Sequence, residues 1–289
     1  MSPKAVAGLL LALGILMLLA GCAQLRRPSL ASREGRLPSL QTRQTVLSYS
    51  WWGANEAYGY GMLENALLAP FYYPGAEVRV HVDLSSVDAR ILGALAALPH
   101  VRIVAPQIPS KGKMCWRFLP SVEENGVCLV RDADSRLGAR EADAVAEWLD
   151  ETDSGWHIMR DCGEGHIFPV VGCCWGSRNG LLNCFTAADL PDKGEWNEDQ
   201  EWLWGEVYPR FWKEACVHDE KTSLRDARSR RFRIAGDHVG QVAYTAPLAF
   251  AHLGEAERRL RKRAMRQVET KTLDQNAHSF HPDQLSERA

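Results

Sequence analysis

Gly126-Val127-Cys128-Leu129-Val130-Arg131-Asp132-Ala133-Asp134-Ser135-Arg136 runs from a short apolar stretch directly into alternating charge. An apolar run of this length, bounded by glycine on one side and polar residues on the other, reads as a buried strand. Two carboxylates one residue apart, where that strand opens into a loop, suit a divalent cation. Hard cations prefer carboxylate oxygens and fill the remaining positions with water and substrate phosphates. In open α/β sheets, ligands bind beyond the carboxyl ends of the strands. Asp-x-Asp by itself is a weak motif, since composition alone produces about one in a chain of this size. Its place after a strand and between Arg131 and Arg136 gives it weight.

Working outward, the same alternation of strands and helices recurs. Thr45–Trp52 is β-prone, and Ala57–Leu68 has helical spacing and feeds Pro70. Glu77–Asp83 alternates with period two and predicts a strand. Val87–Leu98 places Ile91, Leu92, Leu95 and Leu98 on one helical stripe. Val101–Ala105 and Trp156–Met159 read as further strands, and Arg140–Leu149 as an amphipathic helix turning Val145, Trp148 and Leu149 inward. Asp199–Phe211 returns to a helical pattern broken at Pro209. Strands alternating with helices predict a Rossmann-type mixed sheet flanked by helices, an α/β fold. The chain is 289 residues long, 46% apolar and 24% charged, enough for one large α/β domain. A net charge of −2 gives no reason to expect nucleic acid as a partner.

The ends read differently. Ala5–Ala23 carries no charge, with Lys4 before it and Arg26-Arg27 after it. Residues 1–23 are therefore a targeting or anchoring segment, either a membrane-spanning signal-anchor or a bacterial lipoprotein signal ending at Leu19-Ala20-Gly21-Cys22. Both readings place the following domain on the non-cytoplasmic side, in a secretory or Golgi lumen or as a bacterial lipoprotein. Residues 24–43 read as a flexible stem, 44–245 as the domain, and 246–289 as a basic helical or disordered tail. Of eight cysteines, Cys22 lies in the leader, and adjacent Cys173-Cys174 are poorly placed to pair with one another. The absence of any Cys-x-x-Cys leaves little support for a structural zinc site.

Four ordered blocks carry a resemblance. They are Lys113-Met114-Cys115-Trp116-Arg117-Phe118-Leu119-Pro120; Arg131–Arg136 with Arg140-Glu141 and Glu147-Trp148-Leu149; His157-Ile158-Met159-Arg160-Asp161 with His166, Pro169 and Gly172-Cys173-Cys174-Trp175-Gly176; and Asp199-Gln200, Tyr208-Pro209 and His218-Asp219. In these the chain resembles a group of bacterial and protist glycosyltransferase-like proteins, over roughly residues 45–245. The resemblance implies a nucleotide-diphospho-sugar transferase fold of the type called GT-A. It implies a glycosyltransferase using Mn or Mg, moving a sugar from a nucleotide-sugar donor to a glycan, protein or lipid acceptor, and the N-terminal segment would anchor it to a membrane. Asp132 and Asp134 would hold the metal, with His218 a candidate third ligand and a surface histidine its alternative. Arg117, Asp132 and Arg136 would contact the donor, and Arg117 could equally brace the sheet. Asp161, Asp199 and Gln200 are the acceptor-side candidates, as general base or as sugar ligands. Trp175 either stacks on a sugar or packs in the core. Cys162 and Cys173-Cys174 depart from the family pattern, which would have His-Pro and Gly-Met there. Two other readings stand beside this one. A degenerate transferase fold would bind glycan or nucleotide without turnover. A haloacid-dehalogenase-like phosphatase also places Asp-x-Asp after a strand, but earlier in its domain and with Thr or Val where this chain has Arg136.

Overall fold

The computed structural model describes residues 44–106, 112–161, 168–220, 229–236 and 238–242. The leader, the stem, His166, Cys162 and the tail beyond 242 lie outside the described residues. Seven strands form one sheet: β1 (Thr45–Trp51), β2 (Glu77–Val82), β3 (Val101–Val104), β4 (Val127–Val130), β5 (Trp156–Arg160), β6 (Trp175–Ser177) and β7 (Ala215–Asp219). Their order across the sheet is β3-β2-β1-β4-β6-β5-β7. All neighbours pair in parallel except β6, which runs antiparallel to both β4 and β5. This is a mixed α/β sheet flanked by helices, compatible with a Rossmann-like fold. Among the described residues, no helix is long and apolar enough to cross a membrane.

The helices start and stop for identifiable reasons. Helix α1 (Glu56–Tyr72) begins where the Asn55 side chain accepts from the Ala57 N–H, and it runs past Leu68 with Pro70 inside its last turn. Asp88 caps α2 (Ala89–Ala96) by accepting from Arg90 and Ile91, which shortens the helix at its N-terminus against the sequence expectation. A 3₁₀ segment (Lys113–Phe118) leads into a short helix α3 (Leu119–Glu123), and α4 spans Ala139–Glu151. The pattern over Asp199–Phe211 resolves into α5 (Glu198–Trp202), a π-type stretch (Leu203–Val207) and α6 (Tyr208–Phe211). Pro209 does not break it. It lies in the first turn of α6, where its missing N–H costs nothing.

Side-chain alternation along the strands builds two cores. Val127 and Leu129 of β4 face one way with Met159 of β5, against α1, α2 and Trp148 of α4. Cys128 and Val130 face the other way with Trp156 and Ile158, against Phe118, Val122, Trp202 and Leu203. Trp175 is fully buried and sits edge-on to Phe118, with ring centres 5.2 Å apart, so it is a core residue and not a sugar platform. Cys173 and Cys174 are joined by a disulfide, against the sequence expectation. Neighbouring cysteines pair only through unusual backbone, and Cys174 supplies it with a φ of 66°.

Candidate functional site

The chain runs from β1 to β2 and β3 on one side, then returns to place β4 on the other side of β1. The point where strand order reverses is therefore the gap between the carboxyl ends of β1 and β4. Such switch points are where open α/β sheets bind ligands. Arg131–Arg136 emerges from β4 at that gap.

Three groups on α1 fix the loop. The Asn65 side chain donates to the Ser135 carbonyl (2.8 Å) and accepts from the Leu137 N–H (3.0 Å). Glu64 pairs with Arg136 at 2.5 Å. Arg136 also donates to the Ala133 and Ser135 carbonyls, so it braces the loop from within. Gly61 lets the helix come this close, since a Cβ there would strike the Ala133 carbonyl and lie 2.6 Å from Arg136 Nη1. None of these α1 residues was singled out in sequence. The available signal was Gly59-Tyr60-Gly61 followed by the polar pair Glu64-Asn65 in an otherwise apolar helix.

Arg117 is the hub on the other side. Its N–H donates to the Ser50 hydroxyl (2.8 Å), which donates in turn to the Met114 carbonyl (3.2 Å), pinning the 3₁₀ segment to the end of β1. Its guanidinium then reaches three partners: Asp132 at 2.8 Å, Asp199 at 2.7 Å and the Gly172 carbonyl at 3.2 Å. Arg117 and Asp199 are both buried, so that pair is a low-dielectric contact, while Asp132 stays partly open to water. Gly172 has no room for a side chain: a Cβ would collide with the Asp199 carboxylate and sit 2.9 Å from Arg117 Nη2.

The carboxyl edge of the sheet is lined with acids, and nearly all have a cation. Asp83 is held by Lys113, whose ammonium keeps its carboxyl well below the usual range. Asp161 is held by Arg140 at 2.6 Å, and Asp219 by Arg160 at 2.9 Å. Asp134 is the exception, making no ion pair among the described residues. Burial, and next the charge of Asp132, raise its pKa above the ordinary carboxylate value. A bound cation would relieve both effects. The donors fit a hard ion: the carboxylate of Asp134 and the Asp132 oxygen that Arg117 does not hold.

Other sequence candidates lie elsewhere or are already engaged. Both oxygens of Asp161 accept from Arg140, and Oδ2 also accepts from the Val239 N–H at 3.0 Å, so Asp161 fastens the segment around residue 239. Asp199 places one oxygen on Arg117 and the other on the Gln200 N–H at 2.8 Å. Burial raises its pKa while Arg117 opposes the shift. Gln200 donates to the Asn197 side chain at 2.7 Å. His218 is not brought to Asp134. It is fully buried on the face opposite Arg117, its two ring nitrogens directed at His157 (2.9 Å) and Glu147 (3.4 Å). A strand residue cannot reach the edge loop when its alternation points it under α4. No protein-family model and no curated protein sequence matches this chain.

Proposed function

We propose that this chain is a glycosyltransferase of GT-A type, membrane-anchored through its N-terminal segment and dependent on Mn or Mg. The observation that carries the reading is the position of Asp132 and Asp134 at the switch point, with Arg117 beside them and Asp134 the acid left without a cation among the described residues. Asp134 and Asp132 would hold the metal, which neutralises charge on the departing nucleoside diphosphate. Arg117 spends its fork on Asp132, Asp199 and the Gly172 carbonyl, and so holds the Asp132 carboxylate in position beside the gap. Gly172 and Ser50 keep that fork in place, and Arg136 with Asn65 keeps the acidic loop in place. The test is nucleotide release by the purified full chain in detergent, over a panel of UDP- and GDP-sugars, with and without Mn. Release that requires Mn and is lost in Asp134→Ala is the expected result. Metal-independent release would refute the metal role.

One observation favours a second reading, a non-catalytic glycan- or nucleotide-binding protein on the same fold. Asp161, Asp199 and Gln200 are all tied into internal hydrogen bonds, so none stands ready as a general base. Donor binding by calorimetry without nucleotide release would decide for this reading.

A further inference from the structure

On the opposite face from Arg117, β5 and β7 pair in parallel with His157 directly across from Cys216. His218 lies two residues beyond Cys216, on the same side of β7. Register alone therefore gathers two imidazoles and a thiol beneath α4. One ligand atom from each lies within 4.8 Å of the others, and all three residues are buried. We infer that His157, Cys216 and His218 form a site for a borderline-soft divalent cation of the zinc type, separate from the Asp132–Asp134 edge.

Three features beyond proximity support this. First, His218 Nε2 faces Glu147 Oε2 at 3.4 Å. The two atoms sit at ion-pair distance without a hydrogen bond, and a carboxylate on that side leaves the other nitrogen, Nδ1, toward His157 and the metal position. Glu147 is itself held, by Arg233 at 2.6 Å and by Arg230, so it is a rigid orienting group. Second, the His157 ring is stacked on Trp148 with centres 5.1 Å apart and planes 19° from parallel, which locks its direction. Third, His157 Nδ1 is buried with no hydrogen-bond partner among the described residues. Its other nitrogen, Nε2, faces His218 Nδ1 at 2.9 Å, so the two ligand nitrogens already converge on one point.

The geometry is close to what a tetrahedral ion needs. Nitrogen ligands about 2.0–2.1 Å from zinc stand about 3.3 Å apart, and a sulfur ligand about 3.5 Å from each nitrogen. His157 Nε2 and His218 Nδ1 are 2.9 Å apart, so they would separate by a few tenths of an ångström. Cys216 lies within 4.8 Å of both nitrogens, so it would move inward by about 1.3 Å at most. Two histidines and one thiolate leave a fourth position for water or another donor. On binding, the S–H bond of Cys216 breaks, a sulfur–metal bond forms, and the proton passes to solvent. Burial otherwise pushes that thiol up to about 11, so it is held neutral without the ion.

The experiment uses the purified full chain, stripped with a chelator, kept free of oxygen without a disulfide reductant and titrated with Co²⁺ alone. The expected result is one equivalent bound with a thiolate-to-cobalt absorption band in the near ultraviolet, displaced by Zn²⁺. That band should vanish in Cys216→Ala, a small change at a site 7% exposed. Glu147→Gln should keep the band and weaken affinity by about 10–100-fold. The band should persist in Asp134→Ala, which separates this site from the proposed donor site whichever way the activity test falls. No band in the folded wild-type chain, or a band unchanged in Cys216→Ala, would overturn the assignment.

Discussion

Replacing Arg117 with Met removes the one cation between Asp132 and Asp199 while keeping most of the apolar stem. Asp199 is 5% exposed, and Asp132 is more open. The buried carboxylate would then lie without a counter-charge, and truncating one partner of a buried pair costs about 3–5 kcal/mol. Asp132 adds little, because water reaches it. The sign with pH follows from Asp199, whose pKa stands above its ordinary value even with Arg117 present. Without Arg117 it rises further. A carboxyl raised in the fold destabilises fully above its folded pKa, and that cost disappears as pH falls toward the unfolded value near 4. Urea unfolding of Arg117→Met against wild type should therefore show the full loss at pH 7.5 and a clearly smaller loss at pH 5. Taking the difference at each pH cancels titrations common to both proteins. Asp199→Asn placed on top of Arg117→Met should recover most of the loss, in a double-mutant cycle. A loss under about 1 kcal/mol at pH 7.5, or no recovery with Asp199→Asn, would refute the role given to this hub.

Asp134→Asn should leave stability unchanged or slightly raised at pH 7, since it relieves a carboxylate made unfavourable by burial and by Asp132; thermal unfolding checks this, alongside loss of Mn-dependent donor binding. Gly172→Ala should cost several kcal/mol, about as much as breaking the Arg117–Asp199 pair it displaces, read from urea midpoints. His81, lowered to about 3, and His157, also lowered, are both neutral in the core because of burial. The unfolded chain takes up protons there first, so stability is full above pH 6.5 and falls below it, by about 2 kcal/mol at pH 5 for His81. His81→Gln should flatten that slope; an equal slope in the variant would count against it.

The first five strands and the helices α1, α2 and α4 were legible from apolar runs or from apolar residues repeating at two or at three to four, while the 3₁₀ segment and α3 between β3 and β4 carry no such pattern. β6 was not, being three residues with a glycine at its centre, Trp175-Gly176-Ser177. β7 was hidden by its polar interior residues, since His218 reads as a metal ligand or a surface histidine while it and Asp219 are both fully buried within a strand. Their burial depends on Glu147 and Arg160, partners from distant parts of the chain that no local pattern reveals. The Asp-x-Asp position was readable because it needed only a strand followed by a loop. Which acids stay unpaired was not, because that depends on cations brought in from elsewhere, such as Arg140 and Lys113.

The lone antiparallel strand has a consequence for biosynthesis. β4 pairs with β1 on one side, and its other side is covered only by Trp175–Ser177. While the ribosome is still adding the residues between Val130 and Trp175, the growing polypeptide presents Val127-Cys128-Leu129-Val130 as an uncovered apolar border. Such borders recruit other chains. β5 cannot shield it earlier, since it joins the sheet through β6. A nascent chain stalled after Glu151 should therefore be a strong client for chaperones, while one extended past Asp219 should not.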